Sequence, residues 1–119
     1  MEKVLVIGAS ENPERYSNMA IRSLRSNGHE VLAIGSREGY VEDVKIEEEK
    51  LPFENIDTVT VYVGPRNQSD YYKYVSSLRP RRVIFNPGTE NPEFERELEE
   101  SGIDVLEACT LVLLSTNQF

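Results

Sequence analysis

Apolar and polar positions along the chain alternate between two rhythms. Val4-Leu5-Val6-Ile7 is a continuous apolar run, mostly β-branched, and it stops at Gly8-Ala9-Ser10. Such a run bounded by small residues predicts a strand buried on both faces. From Ala20 the apolar positions recur at helical spacing through Ile21 and Leu24, and Asn27-Gly28 supplies a C-terminal stop. Val31-Leu32-Ala33-Ile34 returns as a second buried strand, which a right-handed crossover makes parallel to the first. Val44-Lys45-Ile46 predicts a short edge strand, Glu47 to Lys50 an exposed polar stretch, and Leu51-Pro52-Phe53 an anchor to the core.

The same alternation continues. Asp57 to Val63 predicts a third long strand, broken at Gly64-Pro65 because proline cannot donate to a ladder. Tyr71, Val75 and Leu78 share one face of a helix that ends before Pro80, and Arg82-Val83-Ile84-Phe85 is a further strand stopped by Asn86-Pro87-Gly88-Thr89. Asn91-Pro92 reads as N-cap and first residue of a helix carrying Phe94 and Leu98 inward to Ser101-Gly102. Ile103 to Leu106 predicts the last strand; Leu111 to Leu114 is apolar but too short to assign. The pattern is that of one α/β domain over residues 1–119, a doubly wound, Rossmann-like parallel sheet of five to six strands with helices on both faces. Gly8-Ala9-Ser10, Gly35-Ser36-Arg37, Gly64-Pro65 and Pro87-Gly88-Thr89 then share the C-terminal edge of the sheet, where open α/β sheets bind ligands.

Charge narrows what that edge can meet. Thirteen basic and twenty-one acidic residues leave a formal charge of −8, which argues against a nucleic-acid partner, so an anionic ligand needs a local cationic patch. Arginines gather at Arg15, Arg22 and Arg25, at Arg37, and at Arg79, Arg81 and Arg82. With one cysteine, Cys109, and one histidine, His29, neither a disulfide nor a His/Cys metal cage is available. His29 falls at the opposite end of the sheet and reads as structural; Cys109 reads as a small buried hydrophobe with no base beside it. No run is long enough for a signal segment or membrane span, and a cytoplasmic protein is expected. Glu90, Glu93 and Glu95 occupy the start of the helix after Asn91, making it a poor anion site. Tyr71, Tyr72 and Tyr74 cannot all point inward, which leaves a homodimer or a partner protein open.

A dinucleotide fingerprint would need glycine where Ser10 and Pro13 stand, and no acidic residue follows Ile34 to bind an NAD ribose. Arg37 at that place suits a ribose phosphate, leaving NADP or coenzyme A. With Ser17 as N-cap of the first helix, Arg15 lies over the helix start where a diphosphate would sit; with Pro13 as its first residue, Arg15 points elsewhere. Ser17 is the expected cap.

The order Val6-Ile7-Gly8-Ala9-Ser10, Pro13-x-Arg15-x-Ser17, Gly28-His29-x-Val31, Pro65, Asn86-Pro87-Gly88, Ser101-Gly102-Ile103-x-Val105 and Cys109 resembles the CoA-binding domain family. That family includes the Rossmann-like domain at the front of succinyl-CoA synthetase alpha subunits, and this chain resembles its small single-domain branch. The resemblance implies that CoA or an acyl-CoA is the cofactor. It implies a diphosphate and the start of pantetheine near Gly8, Ala9, Ser10, Arg15 and Ser17, and the adenosine end near Ser36, Arg37, Val63, Gly64 and Pro65. Pro87, Gly88 and Thr89 would border the pantetheine arm. The expected function is therefore a non-catalytic CoA-binding protein. An NADP-binding reductase subunit and an interaction protein with a vestigial pocket stand as alternatives.

Overall fold

A computed structural model describes residues 1–119. Strand β1 (Lys3–Ala9) is the middle of a seven-stranded sheet, and Val4, Leu5, Val6 and Ile7 in it are excluded from solvent. Its flanks are β2 (Glu30–Gly35) on one side and β5 (Thr58–Val61) on the other, both parallel to it. Outside β5 lie β6 (Arg82–Phe85) and β7 (Asp104–Glu107), also parallel. Outside β2 lies β4 (Val44–Glu47), parallel, and then β3 (Gly39–Val41), antiparallel to β4.

Because both faces are covered, successive β1 residues serve two different cores. Leu5 and Ile7 pack with Val59, Phe85, Phe94 and Leu98 under α2 (Tyr72–Leu78) and α3 (Pro92–Glu100). Val4 and Val6 pack with Ile21, Leu24, Ile46 and Leu114 under α1 (Tyr16–Ser26) and α4 (Thr110–Ser115). None of these helices is long and apolar enough to cross a membrane.

The doubly wound sheet has seven strands where five to six were expected. The additional strand is β3, joined to β4 by Glu42-Asp43 with Glu42 at φ +54. Hairpin turns usually give such a conformation to glycine or asparagine, so the sequence carried no turn signal there. The segment Leu111 to Leu114 is helical, within α4. Regular pairing of the third long strand ends at Val61, although Tyr62 N–H still reaches Ile7 O at 2.8 Å.

Buried Asn86, just past β6, ties α4 to the sheet. Its Nδ2 donates to Thr60 Oγ1 (2.7 Å) and Val61 O (2.9 Å), while its Oδ1 accepts from Thr110 N (2.9 Å). At the opposite edge, Glu2 accepts from Arg81 (2.8 Å) and Arg82 (3.2 Å), and the Arg82 guanidinium lies 4.6 Å from the Phe119 ring centroid. His29 Nδ1 accepts from Glu2 N–H at 3.0 Å, and its ring is tilted against Phe119 with centroids 5.1 Å apart.

Replacing Asn86 by alanine leaves buried Thr110 N–H and Val61 O short of a partner and is expected to cost about 1–3 kcal/mol, read as a lower urea midpoint at unchanged m. A second expectation concerns acid. Burial lowers the His29 pKa below the ordinary 6.5, so the neutral ring's contribution is complete above that pH and is lost as pH falls below it, where the unfolded chain binds the proton more readily. Melting temperatures compared between about pH 7.5 and pH 5.5 should therefore fall less for His29→Gln than for the parent chain.

Candidate functional site

The C-terminal ends of β1, β2, β5 and β6 open into a cleft of about 730 Å³. Its floor is bare backbone. Gly8 sits at φ +94 where the β1–β2 register slips between Ile7 and Ala9, and a Cβ there would lie 2.9 Å from the Tyr62 carbonyl carbon. At Gly35 a Cβ would lie 2.3 Å from Ala9 O. Side chains at either position would push the central strands apart.

The β1–α1 loop rises from this floor and is held by its own polar groups. Ser10 Oγ accepts from Asn12 N–H (3.1 Å), Asn12 Oδ1 from Glu14 N–H (3.0 Å) and Asn12 O from Arg15 N–H (3.0 Å). Buried Asn18, one turn into α1, donates to Ser10 O at 2.9 Å, and Glu11 turns outward to accept from Tyr40 N–H at 2.9 Å.

Helix α1 begins earlier than the expected Ser17 cap. Arg15 occupies the cap position (φ −80, ψ 141) with no side-chain cap bond, and Ser17 is a buried residue of the first turn. Ser17 had the chemistry of a cap, but the Asn12 turn brings Arg15 N–H back to Asn12 O and lets the helix start at once. No side chain therefore caps the first turn of α1, and no acidic residue lies in it. The contrast with α3 is complete: Asn91 Oδ1 accepts from Phe94 N–H (3.2 Å), Glu95 Oε2 accepts from Asn91 N–H (2.9 Å), and Glu93 stands beside them. Burial, with Glu107 nearby, raises the Glu95 pKa. Of these two helix starts, only that of α1 is electrostatically open to an anion.

The facing wall combines the loops after β5 and β6. Gln68, buried between them, donates to Val63 O (2.8 Å) and Thr89 O (2.7 Å) and accepts from Asn91 Nδ2 (3.0 Å). This carboxamide fixes the spacing between Val63-Gly64 and Pro87-Gly88-Thr89. Asn67, Asp70 and Tyr71 complete that wall, with Lys50 Nζ 4.8 Å from the Tyr71 ring centroid. Tyr72 stacks on Phe94 at 4.2 Å and Tyr74 donates to Leu51 O, so all three neighbouring tyrosines are engaged within the chain.

The arginines divide sharply. Arg25 pairs with Asp43 at 2.6 Å, and Arg81 and Arg82 pair with Glu2 at the far edge. Arg15 lines the cleft without an acidic partner. Gly8, Ala9, Ser10, Ser17 and Ser36 line the cleft with it, as do Val63, Gly64, Pro87, Gly88 and Thr89. Arg37 and Pro65 lie outside the lining: Arg37 is exposed one residue beyond Ser36, and exposed Pro65 opens a 3₁₀ turn. The lining also includes Gly35, which the sequence places at this edge without a role toward the cofactor, and Tyr16, Tyr62, Asn67, Asp70 and Tyr71, which sequence reasoning did not select. Gly35 and Tyr62 occupy the strand-end positions beside Gly8, a signal that was present; the others come from tertiary packing.

A smaller, chiefly apolar cavity of about 250 Å³ adjoins the cleft and shares Tyr16, Tyr62 and Pro87 with it. Asn86, half-buried Cys109 and Leu111 form its remaining walls. The Tyr62 hydroxyl is buried without a hydrogen-bond partner, near the Thr60 and Thr110 hydroxyls, which bond to each other at 2.8 Å. Burial pushes its pKa up to about 12.

Comparison with known proteins agrees with this architecture. A crystal structure of an uncharacterized protein is 46% identical, with a TM-score of 0.98 over 100% of this chain and 98% of that one. A Thermus thermophilus protein, cell-free ID.343, is 27% identical with a TM-score of 0.86 over 99% of this chain and 90% of that one. The dinucleotide-forming acetyl-coenzyme A synthetase 1 of Ca. Korarchaeum cryptofilum, in complex with phosphate and ADP, shares the fold at 18% identity, with a TM-score of 0.73 over 90% of this chain and 25% of that one. A search of the curated proteins finds no match. The profile of the CoA binding domain matches residues 2–115, the whole of the sheet and all of the cleft, and the chain belongs to that family.

Proposed function

We propose that this chain holds coenzyme A or a short acyl-CoA in the cleft and performs no chemistry on it. The observation that carries the reading is the start of α1: an uncapped, acid-free helix N-terminus above a glycine floor, with Arg15 unpaired beside it. Those features together suit a diphosphate, since helix N–H groups alone contribute only about 0.3–1 kcal/mol and the net charge of −8 opposes an anion. In this reading the adenosine end lies over Ser36 and Val63-Gly64, with Pro65 behind it and Arg37 turned toward the ribose phosphate. The pantetheine arm leaves along Pro87, Gly88 and Thr89.

The lining is what supports a reading without chemistry. Asp70 is its one carboxylate, and neither His29 nor Cys109, the chain's one imidazole and one thiol, is part of it. The lone unpaired thiol suits a reducing compartment, and we take the cytoplasm as the place of action.

Thermal-shift titration is the direct test, because a ligand of the folded state raises Tm with its concentration over Kd. CoA is expected to raise Tm, dephospho-CoA to raise it less, and Arg37→Ala to remove the difference; equal shifts for the two ligands in the parent chain take Arg37 out of the phosphate role. Arg15→Ala should weaken both ligands by about 1–2 kcal/mol, roughly five- to thirtyfold in Kd by calorimetry. A shift with NADP and none with CoA would replace this reading with the reductase one, and no shift with either would favour an interaction protein.

A further inference from the structure

The small cavity beside the cleft offers a ligand something different from the cleft itself. No cationic or acidic side chain lines it, so it has nothing for a phosphate or an amine. Asn86 is in its wall, but the Asn86 carboxamide is already bound to Thr60, Val61 and Thr110, and the Thr110 N–H at the start of α4 is taken by the same group. What remains is apolar surface from Pro87, Leu111, Cys109 and the two tyrosine rings, with one uncommitted polar atom, the buried Tyr62 hydroxyl. A buried hydroxyl without a partner is costly, and a carbonyl oxygen brought beside it would remove that cost. The cavity joins the cleft through Tyr16, Tyr62 and Pro87, the last of which lies where the pantetheine arm would leave.

We propose that this cavity receives the acyl group of a short-chain acyl thioester, with the alkyl chain against Leu111, Cys109 and Pro87 and the thioester carbonyl accepting from Tyr62 Oη–H. The inference rests on the CoA reading and adds to it a preference for the acylated over the free thiol. Tyr62 keeps its proton throughout the neutral range, its pKa being about 12, and so remains a donor. The volume of about 250 Å³ is roughly that of eight waters at about 30 Å³ each, ample for a four-carbon acyl group and short of a ten-carbon one.

The test is a set of calorimetric affinities for CoA, acetyl-CoA, butyryl-CoA and decanoyl-CoA. Each buried methylene is worth roughly fourfold in affinity at about 0.8 kcal/mol, so butyryl-CoA should bind about tenfold or more tighter than CoA, acetyl-CoA in between, and decanoyl-CoA without the gain. Cys109→Phe fills the cavity from a wall that the cleft does not share; it should abolish the butyryl preference while CoA binds as before. Leu111→Trp does the same from α4 and serves if the first variant folds poorly. Tyr62→Phe should reduce the butyryl-to-CoA affinity ratio about fivefold by removing the carbonyl's donor. Equal affinity for CoA and butyryl-CoA, or a preference that survives both filling variants, overturns the acyl pocket and leaves CoA binding intact. Failure of all four ligands to bind overturns both readings.

Discussion

The strands can meet at the rim of the cleft only where two residues lack side chains. Gly8 slips the register of the most buried strand and turns its backbone up at φ +94, within contact distance of the Tyr62 carbonyl. Gly35 does the corresponding service on the other side, against Ala9 O. A methyl group at either point would separate strands whose apolar faces form two cores, so the cost would reach beyond the loop. The floor of the cleft, the path of the Ser10 to Arg15 loop and the uncapped start of α1 all follow from that close approach.

Above the floor, rigidity comes from carboxamides rather than from charge. Asn86, Gln68 and Asn91 each join segments distant in sequence, and the bonds around them occupy the groups they bury. A fully satisfied buried polar network restricts geometry more than an apolar contact of the same size, because any displacement leaves a donor or acceptor dry. The two walls of the cleft thus have a set separation before anything enters. Helix α4, six residues long and without a capping side chain of its own, depends on Asn86 for its first amide.

Much of this was legible in the chain. The continuous apolar runs of β1, β2 and β6 left no room for one-sided strands, and Asn91-Pro92 marked the start of α3 by cap chemistry alone. Three features were not legible, each for a physical reason. The β3–β4 hairpin turns on Glu42, a residue type that seldom takes a positive φ. Ser17 looked like a cap, but the Asn12 turn starts the helix at Tyr16 and leaves Ser17 buried in its first turn. Which arginines were free was hidden altogether, because Arg25 meets Asp43 and Arg82 meets Glu2 across separations of 18 and 80 residues. For the site, small residues at strand ends marked the floor correctly, whereas Asn67, Asp70 and Tyr71 enter only because Gln68 folds their loop inward.

The outward bond of Glu11 has a bearing on how the molecule meets its own copies. An edge strand with free amides is a template for another chain, and β3 is one of the two edges of this sheet. Its Tyr40 N–H is already held by a carboxylate that belongs to the β1–α1 loop. A foreign strand adding on that flank would have to expel Glu11 and loosen the loop over the glycine floor, so lateral polymerisation and an ordered β1–α1 loop oppose each other.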